Sequence, residues 1–251
     1  MARRGEGAII APMTSPSDDS DPPRHPCGAC ACAFGEASVW RPVAPELRAR
    51  LAQGFRRRQL ARDEAIYAQG APADTVYCLS RGLVALRTTR EDGHYSFVRL
   101  VRPGEIFGFR SFLARQPHDT EARALTAARV CVVAAREARE VVEGSPQVLG
   151  GLALRCAIEL RRSRDLRAHS RRGDAGGRLL RLIRDLSADQ APDADGVVRF
   201  RLPLSRADMA AALGLAPETV TRRLRRLCEA GALRISGRQV ELPAPAAEGG
   251  G

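Results

Sequence analysis

Three cysteines lie within six residues of one another near the start of the chain, in the stretch HPCGACACAFGEASVW. Cys27, Cys30 and Cys32 have the spacing C-x2-C-x-C. Thiolates bind metals and undergo redox reactions, so a cluster of this kind in a reducing compartment predicts metal or redox chemistry. The seven cysteines of this 251-residue chain do not indicate a disulfide framework.

The other four cysteines are scattered along the chain. Cys78 and Cys228 stand among apolar neighbours, where buried and unreactive thiols are expected. Cys156 belongs to an apolar stripe and is expected to pack there. Taken alone, Cys131 in the stretch RVCVVA also has the pattern of a core cysteine.

A second group of chemically significant residues lies in LSRADMAAALGLAPETVTRRLRRLCEAGALRISGRQVEL. Ser205 is a good N-cap for a first helix, and Asp208 follows in its first turn. Gly214 supplies a turn, Pro217 suits the first turn of a second helix, and Gly231 ends that helix. The stretch LRISGRQVEL predicts a two-stranded wing. This order is typical of a winged helix-turn-helix.

The outer face of the second helix carries side chains at positions i, i+3, i+4 and i+7, namely Glu218, Thr221, Arg222 and Arg225. Glutamate accepts from base amino groups, threonine contacts a thymine methyl and arginine pairs with guanine. Arg223 and Arg226 flank this face and suit phosphates, and Ser205 is included among the expected DNA contacts. The alternative is a solvated charged face of an ordinary amphipathic helix.

The charge balance bears on that choice. The chain has 40 basic and 29 acidic residues and a net charge of +11, and every basic residue is an arginine. A GC-rich genome or a polyanionic partner explains such a composition equally well. Because arginines concentrate on the second helix, double-stranded DNA is the expected partner.

The elements that must position these residues differ along the chain. A short helix is predicted over Pro45 to Gly54. Residues 57 to 133 alternate short apolar stretches with glycine-containing turns, which predicts an all-β domain, with a hairpin at Asp92 and Gly93. Pro146 opens a long helix, and glycines at positions 173, 176 and 177 predict a hinge after it.

The long helix carries a stripe at near-heptad spacing, formed by Leu152, Cys156, Leu160, Ser163 and Arg167. Two explanations remain open from the spacing alone. The stripe packs on its own β domain, or it pairs with a parallel helix in a dimer.

No signal peptide or membrane span is apparent, so a soluble, cytoplasmic protein without a membrane partner is expected. The four histidines are scattered, and no nucleophile elbow, phosphate loop or carboxylate pair is found. The chain is therefore not expected to be an enzyme.

The glycine-punctuated β region, GEIFGF ending at Phe109, the long helix and ETVTRRL at Glu218 to Leu224 together resemble the CRP/FNR superfamily of transcription regulators. The resemblance implies an α+β fold and a homodimer whose seam is the stripe. It also implies a palindromic DNA site with half-sites about 34 Å apart, and RNA polymerase as a partner. The expected segments are a disordered N-terminus (1–24), a cysteine-rich segment (25–44), a β-roll sensor of the cupin-like jelly-roll type (45–143), a dimerisation helix (144–172), a winged helix-turn-helix (173–242) and a disordered tail (243–251).

The superfamily's cyclic-nucleotide branch has a glutamate where this chain has Phe109, and an Arg-Ser/Thr pair where it has His118 and Asp119. An aspartate facing a phosphate repels it, so no cAMP binding is expected.

The FNR branch, which resembles this chain more closely, implies an oxygen-labile [4Fe-4S] cluster held by Cys27, Cys30, Cys32 and Cys131. That branch has its third N-terminal cysteine five to seven residues after C-x2-C, whereas here Cys32 follows Cys30 by two. Two alternatives remain open. The cluster site is altered, or the protein has no cluster and senses nitric oxide through haem or binds another ligand in the β-roll. The branch reads a TTGAT-type half-site with Glu, Ser and Arg, which fall on Glu218, Thr221 and Arg222.

Overall fold

The computed structural model describes residues 38–90, 95–170, 174–188 and 190–243, with the backbone alone described for 50, 52–53 and 162–170. The predicted disordered N-terminus, the three clustered cysteines, and the tail from residue 244 lie outside the described residues. So does the predicted turn at Asp92 and Gly93.

Two four-stranded antiparallel sheets form the N-terminal domain. One has the strand order β1-β8-β3-β6 and the other β2-β7-β4-β5. The strands are β1 (Phe55–Leu60), β2 (Ala65–Tyr67), β3 (Thr75–Arg81), β4 (Val84–Thr89), β5 (Tyr95–Val101), β6 (Ile106–Phe107), β7 (Glu121–Ala124) and β8 (Ala128–Ala134). β4 and β5 pair with Thr89 opposite Tyr95, so the predicted hairpin strands are confirmed.

Helices cover the outer face of the first sheet. They are α1 (Pro45–Gly54), α2 (Phe109–Ala114), α3 (Ala135–Gly144) and α4 (Pro146–Ser170). The bounds of α1 are those predicted, whereas α3 was not predicted. Its sequence carried the signal, since Ala138, Val141 and Val142 fall at helical spacing and are all buried.

A core lies on this outer face and includes residues that precede the first helix. Trp40 is 1% exposed and Val39 is 6% exposed, and both belong to the cluster that contains Cys78, Cys131 and Leu152. A separate core fills the space between the two sheets. The segment that follows the cysteine-rich stretch is therefore seated on the sheet that carries Cys131.

On the long helix α4, part of the predicted dimer stripe is buried against the sensor of its own chain. Leu152 is fully buried and Cys156 packs against the same core of its own chain, which leaves Leu152 no surface for a partner. The large apolar side chains that remain exposed are Leu149, Leu154, Ile158 and Leu160. Only Leu160 of the stripe is exposed, while the side chains of Ser163 and Arg167 lie outside the described ones.

The C-terminal domain combines three helices with one small sheet. Its elements are α5 (Ala175–Leu186), β9 (Val197–Arg201), α6 (Arg206–Leu213), α7 (Pro217–Glu229), β10 (Arg234–Ser236) and β11 (Gln239–Pro243). The wing has three strands in the order β10-β11-β9, because β9 pairs with β11. This arrangement, together with the β-sheet sensor and long helix, confirms the predicted α+β architecture.

The predicted hinge glycines have a different role. Gly176 and Gly177 lie in the first turn of α5, where their amides donate to the Asp174 carboxylate at 3.0 and 2.9 Å. These bonds lower the pKa of Asp174. Both glycines thus lie inside the capped first turn of a helix and not in the connection before it, and the hinge itself stays a prediction. Gly173 lies outside the described residues.

The C-terminal domain packs against the sensor of its own chain. Leu83, Ala85 and Leu125 of the sensor belong to the same buried cluster as Met209 and Leu204. Tyr95 Oη also donates to Asp208 Oδ1 at 2.9 Å. A continuous apolar core thus joins the two domains.

Candidate nucleic-acid interface

A capping box fixes the start of α6. The Ser205 hydroxyl accepts from the Asp208 amide at 3.0 Å, and the Asp208 carboxylate accepts from the Ser205 amide at 2.8 Å. The Ser205 oxygen is therefore engaged in capping, and its DNA contact remains a prediction.

A left-handed residue makes the turn between the two helices. Gly214 has a φ of 63°, which a residue without a Cβ adopts at little cost. Ala216 is the N-cap of α7 without a side-chain hydrogen bond, and Pro217 occupies the first turn. Val220 and Leu224 are buried, so the inner face of α7 is packed as predicted.

The outer face of α7 is open to solvent over its first two turns. Glu218, Thr221, Arg222 and Arg225 are all exposed. Thr221 Oγ1 donates to the Pro217 carbonyl at 3.1 Å, which leaves its methyl and its lone pairs for a ligand. Arg225 forms a loose ion pair with Glu229 at 3.4 Å, which solvent screening makes weak.

Arg223 lies away from this face. Its side chain is 32% exposed and its guanidinium is 3.9 Å from the Asp174 carboxylate at the start of α5. The phosphate contact of Arg223 stays a prediction, and making it would compete with this ion pair. Arg226 is exposed and keeps the flanking position.

The sensor contains a small cavity that α4 closes. Its volume is about 10 Å³, and its lining includes Tyr67, Phe109, Arg99, Arg110 and Glu159. This is about the space of one water molecule. A larger groove of about 470 Å³ lies outside it, bordered by α4 and residues 38–42, and Arg99 and Glu159 line both spaces.

The side chains that stand at the nucleotide-binding positions of the cyclic-nucleotide branch have other partners here. Phe109 is 2% exposed and lies in the outer-face core. Asp119 forms an ion pair with Arg110. His118 is buried and its ring stacks on Tyr67 with centroids 3.7 Å apart.

Two family models match this chain. A cyclic nucleotide-binding domain matches residues 57–145, and a Crp-like helix-turn-helix domain matches residues 177–247. Together they take in more than half of the sequence. The chain belongs to the CRP/FNR family of transcription regulators.

Relatives of this CRP/FNR regulator agree with the assignment. A CRP-like cAMP-activated global transcriptional regulator from Mycobacterium tuberculosis is 24% identical over 82% of this chain and 92% of its own length. The transcriptional activator protein anr from Pseudomonas aeruginosa is 26% identical over 74% and 76%. The structure of FixK2 from Bradyrhizobium japonicum is 29% identical, with a TM-score of 0.64, over 77% of this chain and 98% of that one.

These matches establish a DNA-binding transcription regulator. They also confirm the prediction that the chain is not an enzyme, since the matched relatives are transcription regulators. No helix in the described part of the chain is both long enough and apolar enough to cross a membrane.

The cysteines of this CRP/FNR regulator are only partly within the described residues. Cys131 is fully buried, and it stands directly opposite Cys78 in the pairing of β8 with β3. Within the described ranges, no three His, Cys, Asp or Glu side chains come together as a metal site. Any cluster therefore requires the N-terminal cysteines.

The charged residues Arg99, Arg110 and Glu159 did not stand out in the sequence. Glu159 follows Leu152 by seven residues and so shares its face of α4, and a charge on that inward face was the available signal. Its partners are about 50 to 60 positions away in the chain, which helical periodicity cannot identify.

Proposed function

We propose that this CRP/FNR regulator is an oxygen- or redox-responsive homodimer that binds a palindromic site through Glu218, Thr221 and Arg222. The observation that carries the DNA-contact part is the exposure of these three side chains on one face of α7. A cap, a left-handed glycine and a buried inner face hold that helix in place. Rigid presentation of base-reading groups is what direct readout requires.

The half-site follows from the same trio. Glutamate accepts from cytosine or adenine, arginine donates to guanine, and the Thr221 methyl contacts thymine. A TTGAT-type half-site offers these groups. Arg225 lies one turn further along the same face, and the exposed Arg226 beside it supplies a phosphate contact.

Dimerisation is proposed through α4. Its exposed apolar side chains, Leu149, Leu154, Ile158 and Leu160, are the large apolar groups that a single chain leaves uncovered among the described residues. Substituting Leu154→Glu and Ile158→Glu together is expected to give monomers by analytical ultracentrifugation. Arg136→Glu on exposed α3 is the matched control, and dimers that persist in the double variant exclude this seam.

The signal is proposed to act through a [4Fe-4S] cluster held by Cys27, Cys30, Cys32 and Cys131. Three relatives named anaerobic regulatory protein are 22–24% identical to this chain, and this similarity supports the proposal of an oxygen-related signal. Trp40 and Val39 share a core with Cys131, and Ser38 follows Cys32 by six positions. Six residues span up to about 20 Å, so the residues that are described are compatible with this ligand set.

When bound, such a cluster supplies an oxygen-sensitive link between the N-terminal segment and the sheet. The roles of the chain's own residues follow from packing. Trp40 holds the segment on the outer-face core, and Leu152 in that core belongs to α4. A change at Cys131 thus reaches the helix proposed to dimerise through one continuous set of contacts.

Anaerobic purification tests this proposal. Brown protein with a visible iron–sulfur absorption band and bound iron is expected, and Cys131→Ser is expected to lose both. Cys228→Ser is the matched control because Cys228 packs in the DNA-binding domain. Colourless, iron-free protein rules out the cluster.

DNA affinity is then measured with and without air. Tighter anaerobic binding is expected. Equal affinity refutes the oxygen switch, and regulation that survives all four cysteine substitutions points instead to another ligand in the sensor.

A further inference from the structure

Glu159 lies in the middle of α4, on the side that packs against the sensor. One carboxylate oxygen is 3.3 Å from Arg99 Nε on β5, and the other is 3.6 Å from a terminal nitrogen of Arg110 on α2. The Glu159 side chain is 12% exposed and that of Arg99 is 16% exposed. Two arginines from different parts of the β-roll therefore converge on one carboxylate of the helix.

These arginines are further engaged by the sensor itself. Arg99 donates to the Ile106 carbonyl at 2.7 Å and lies 3.4 Å from the Glu105 carboxylate. Arg110 forms an ion pair with Asp119. These two guanidiniums thus face the carboxylates of Glu159, Glu105 and Asp119.

Converging guanidinium groups are the arrangement with which proteins bind carboxylates and phosphates. Here the space beside them is reduced to about 10 Å³, and the Arg99–Glu159 pair separates it from the outer groove. We propose that Glu159 is a built-in ligand of the sensor. Its carboxylate occupies the oxyanion position between Arg99 and Arg110, and it ties α4 to the β-roll without a bound small molecule.

Two consequences follow. An external anion must displace Glu159 from between the two arginines and meets the nearby carboxylates of Glu105 and Asp119, so we expect the wild-type sensor not to bind added acetate or phosphate. Conversely, removing the Glu159 carboxylate leaves a vacant position between two arginines. A small carboxylate or phosphate can then take its place. This inference is independent of the cluster and of the DNA contacts.

The experiment compares the wild-type chain with Glu159→Ala by amide hydrogen exchange and thermal unfolding. In Glu159→Ala, the amides of α4 around residues 152–160 are expected to exchange at least about tenfold faster, because the tie to the sheet is lost. Acetate or inorganic phosphate is expected to restore protection and raise Tm saturably by roughly 2–5 °C. Wild-type protein is expected to show neither effect. Chloride at equal ionic strength controls for screening.

Three further variants make the result specific. Arg110→Gln in the Glu159→Ala background is expected to abolish the acetate effect. Glu159→Gln fills the position with a neutral amide, so it is expected to loosen α4 without acetate rescue. Glu143→Ala, on an exposed position of α3, is the matched control and is expected to match wild type. Unchanged α4 exchange in both Glu159 variants, or the same anion response in wild type and Glu159→Ala, overturns the proposal.

Discussion

Single side chains on α7 are expected to make two kinds of DNA contact, and Arg222 is expected to contact a base. It is exposed beside Glu218 and Thr221, whereas Arg226 lies at the margin of the same face. A side chain that pairs with a base contributes to sequence preference, while a phosphate contact strengthens binding to any DNA.

Replacing Arg222 with alanine is therefore expected to cost about 1–3 kcal/mol in binding to the cognate palindrome and to relax preference at one base pair. Fluorescence anisotropy with cognate and scrambled duplexes measures this. Arg226→Ala is expected to weaken binding to both duplexes alike. Equal losses on both duplexes for Arg222→Ala contradict the assignment, and Arg184→Ala, exposed on α5, serves as the control.

His118 provides a pH-dependent contribution to stability. Burial lowers its pKa below the ordinary value of 6.5, and the nearby charges of Asp119 and Asp74 oppose this shift only in part. The unfolded chain therefore binds this proton more readily than the folded chain. The associated stability is complete above pH 6.5 and is lost as the pH falls towards the lowered folded-state value.

Urea unfolding between pH 7.5 and 5.5 checks this sign. Wild-type protein is expected to lose stability over that window, and His118→Asn is expected to flatten the slope. The other three histidines remain in this variant. If its stability falls with pH as steeply as that of the wild type, the pH dependence does not arise from His118.

At the scale of elements, the capping box at α6 determines where the first helix of the DNA-binding motif begins. Both of its hydrogen bonds join the same two residues, so the carboxylate and the hydroxyl satisfy amides that the helix itself cannot.

Ser205→Ala is expected to destabilise the domain by about 1 kcal/mol, which corresponds to a Tm lowered by roughly 2–4 °C. Ser205→Thr keeps the hydroxyl and is expected to lose little. Differential scanning calorimetry compares the two. If the threonine variant loses as much as the alanine variant, the hydroxyl is not what stabilises this helix.

The long helix α4 has two faces that pack differently. Its inward face carries Leu152, Cys156 and Glu159, and its outward face carries Leu154 and Ile158. One helix thus contacts the sensor on one side and offers an apolar surface on the other. In the proposed dimer, this geometry would place the sensor contacts and the partner chain on opposite faces of one helix.

At the scale of the whole molecule, hydrogen bonds as well as a shared core join the sensor to the DNA-binding domain. Arg62 donates to the Pro203 carbonyl at 2.8 Å, and Arg102 donates to the Asp185 carbonyl at 2.6 Å. Tyr95 adds a bond to Asp208, and burial together with that bond raises the pKa of Tyr95 to about 12. The phenol therefore stays a donor throughout the physiological range.

Tyr95→Phe removes this hydroxyl while keeping the ring over which the Arg87 guanidinium lies, 4.6 Å from the centroid. The domains are expected to lose about 1.5 kcal/mol of docking energy, since Tyr95 is only half-buried. Calorimetry is expected to show the single unfolding transition broaden or divide. Tyr77→Phe removes a hydroxyl within the sensor alone and is the control. A transition equally sharp in both variants argues against the tie between the domains.

The local features of this protein were predictable from sequence because their determinants are close together in the chain. Ser205 and Asp208 cap a helix three residues apart, Gly214 and Pro217 mark a turn and a helix start, and the bounds of α1 follow from the same kind of signal. The exposed face of α7 that we propose to read bases was predicted because spacing alone places its residues on one side of a helix.

Only the tertiary structure decided what covers each face. Periodicity grouped Leu152 with Leu160, but the sensor buries the first and leaves the second exposed. Glu159 contacts Arg99, which is 60 positions away in the sequence. Tyr95 contacts Asp208, which is 113 positions away. Helical and strand periods specify which residues share a surface, whereas the partner of that surface depends on how distant segments pack together.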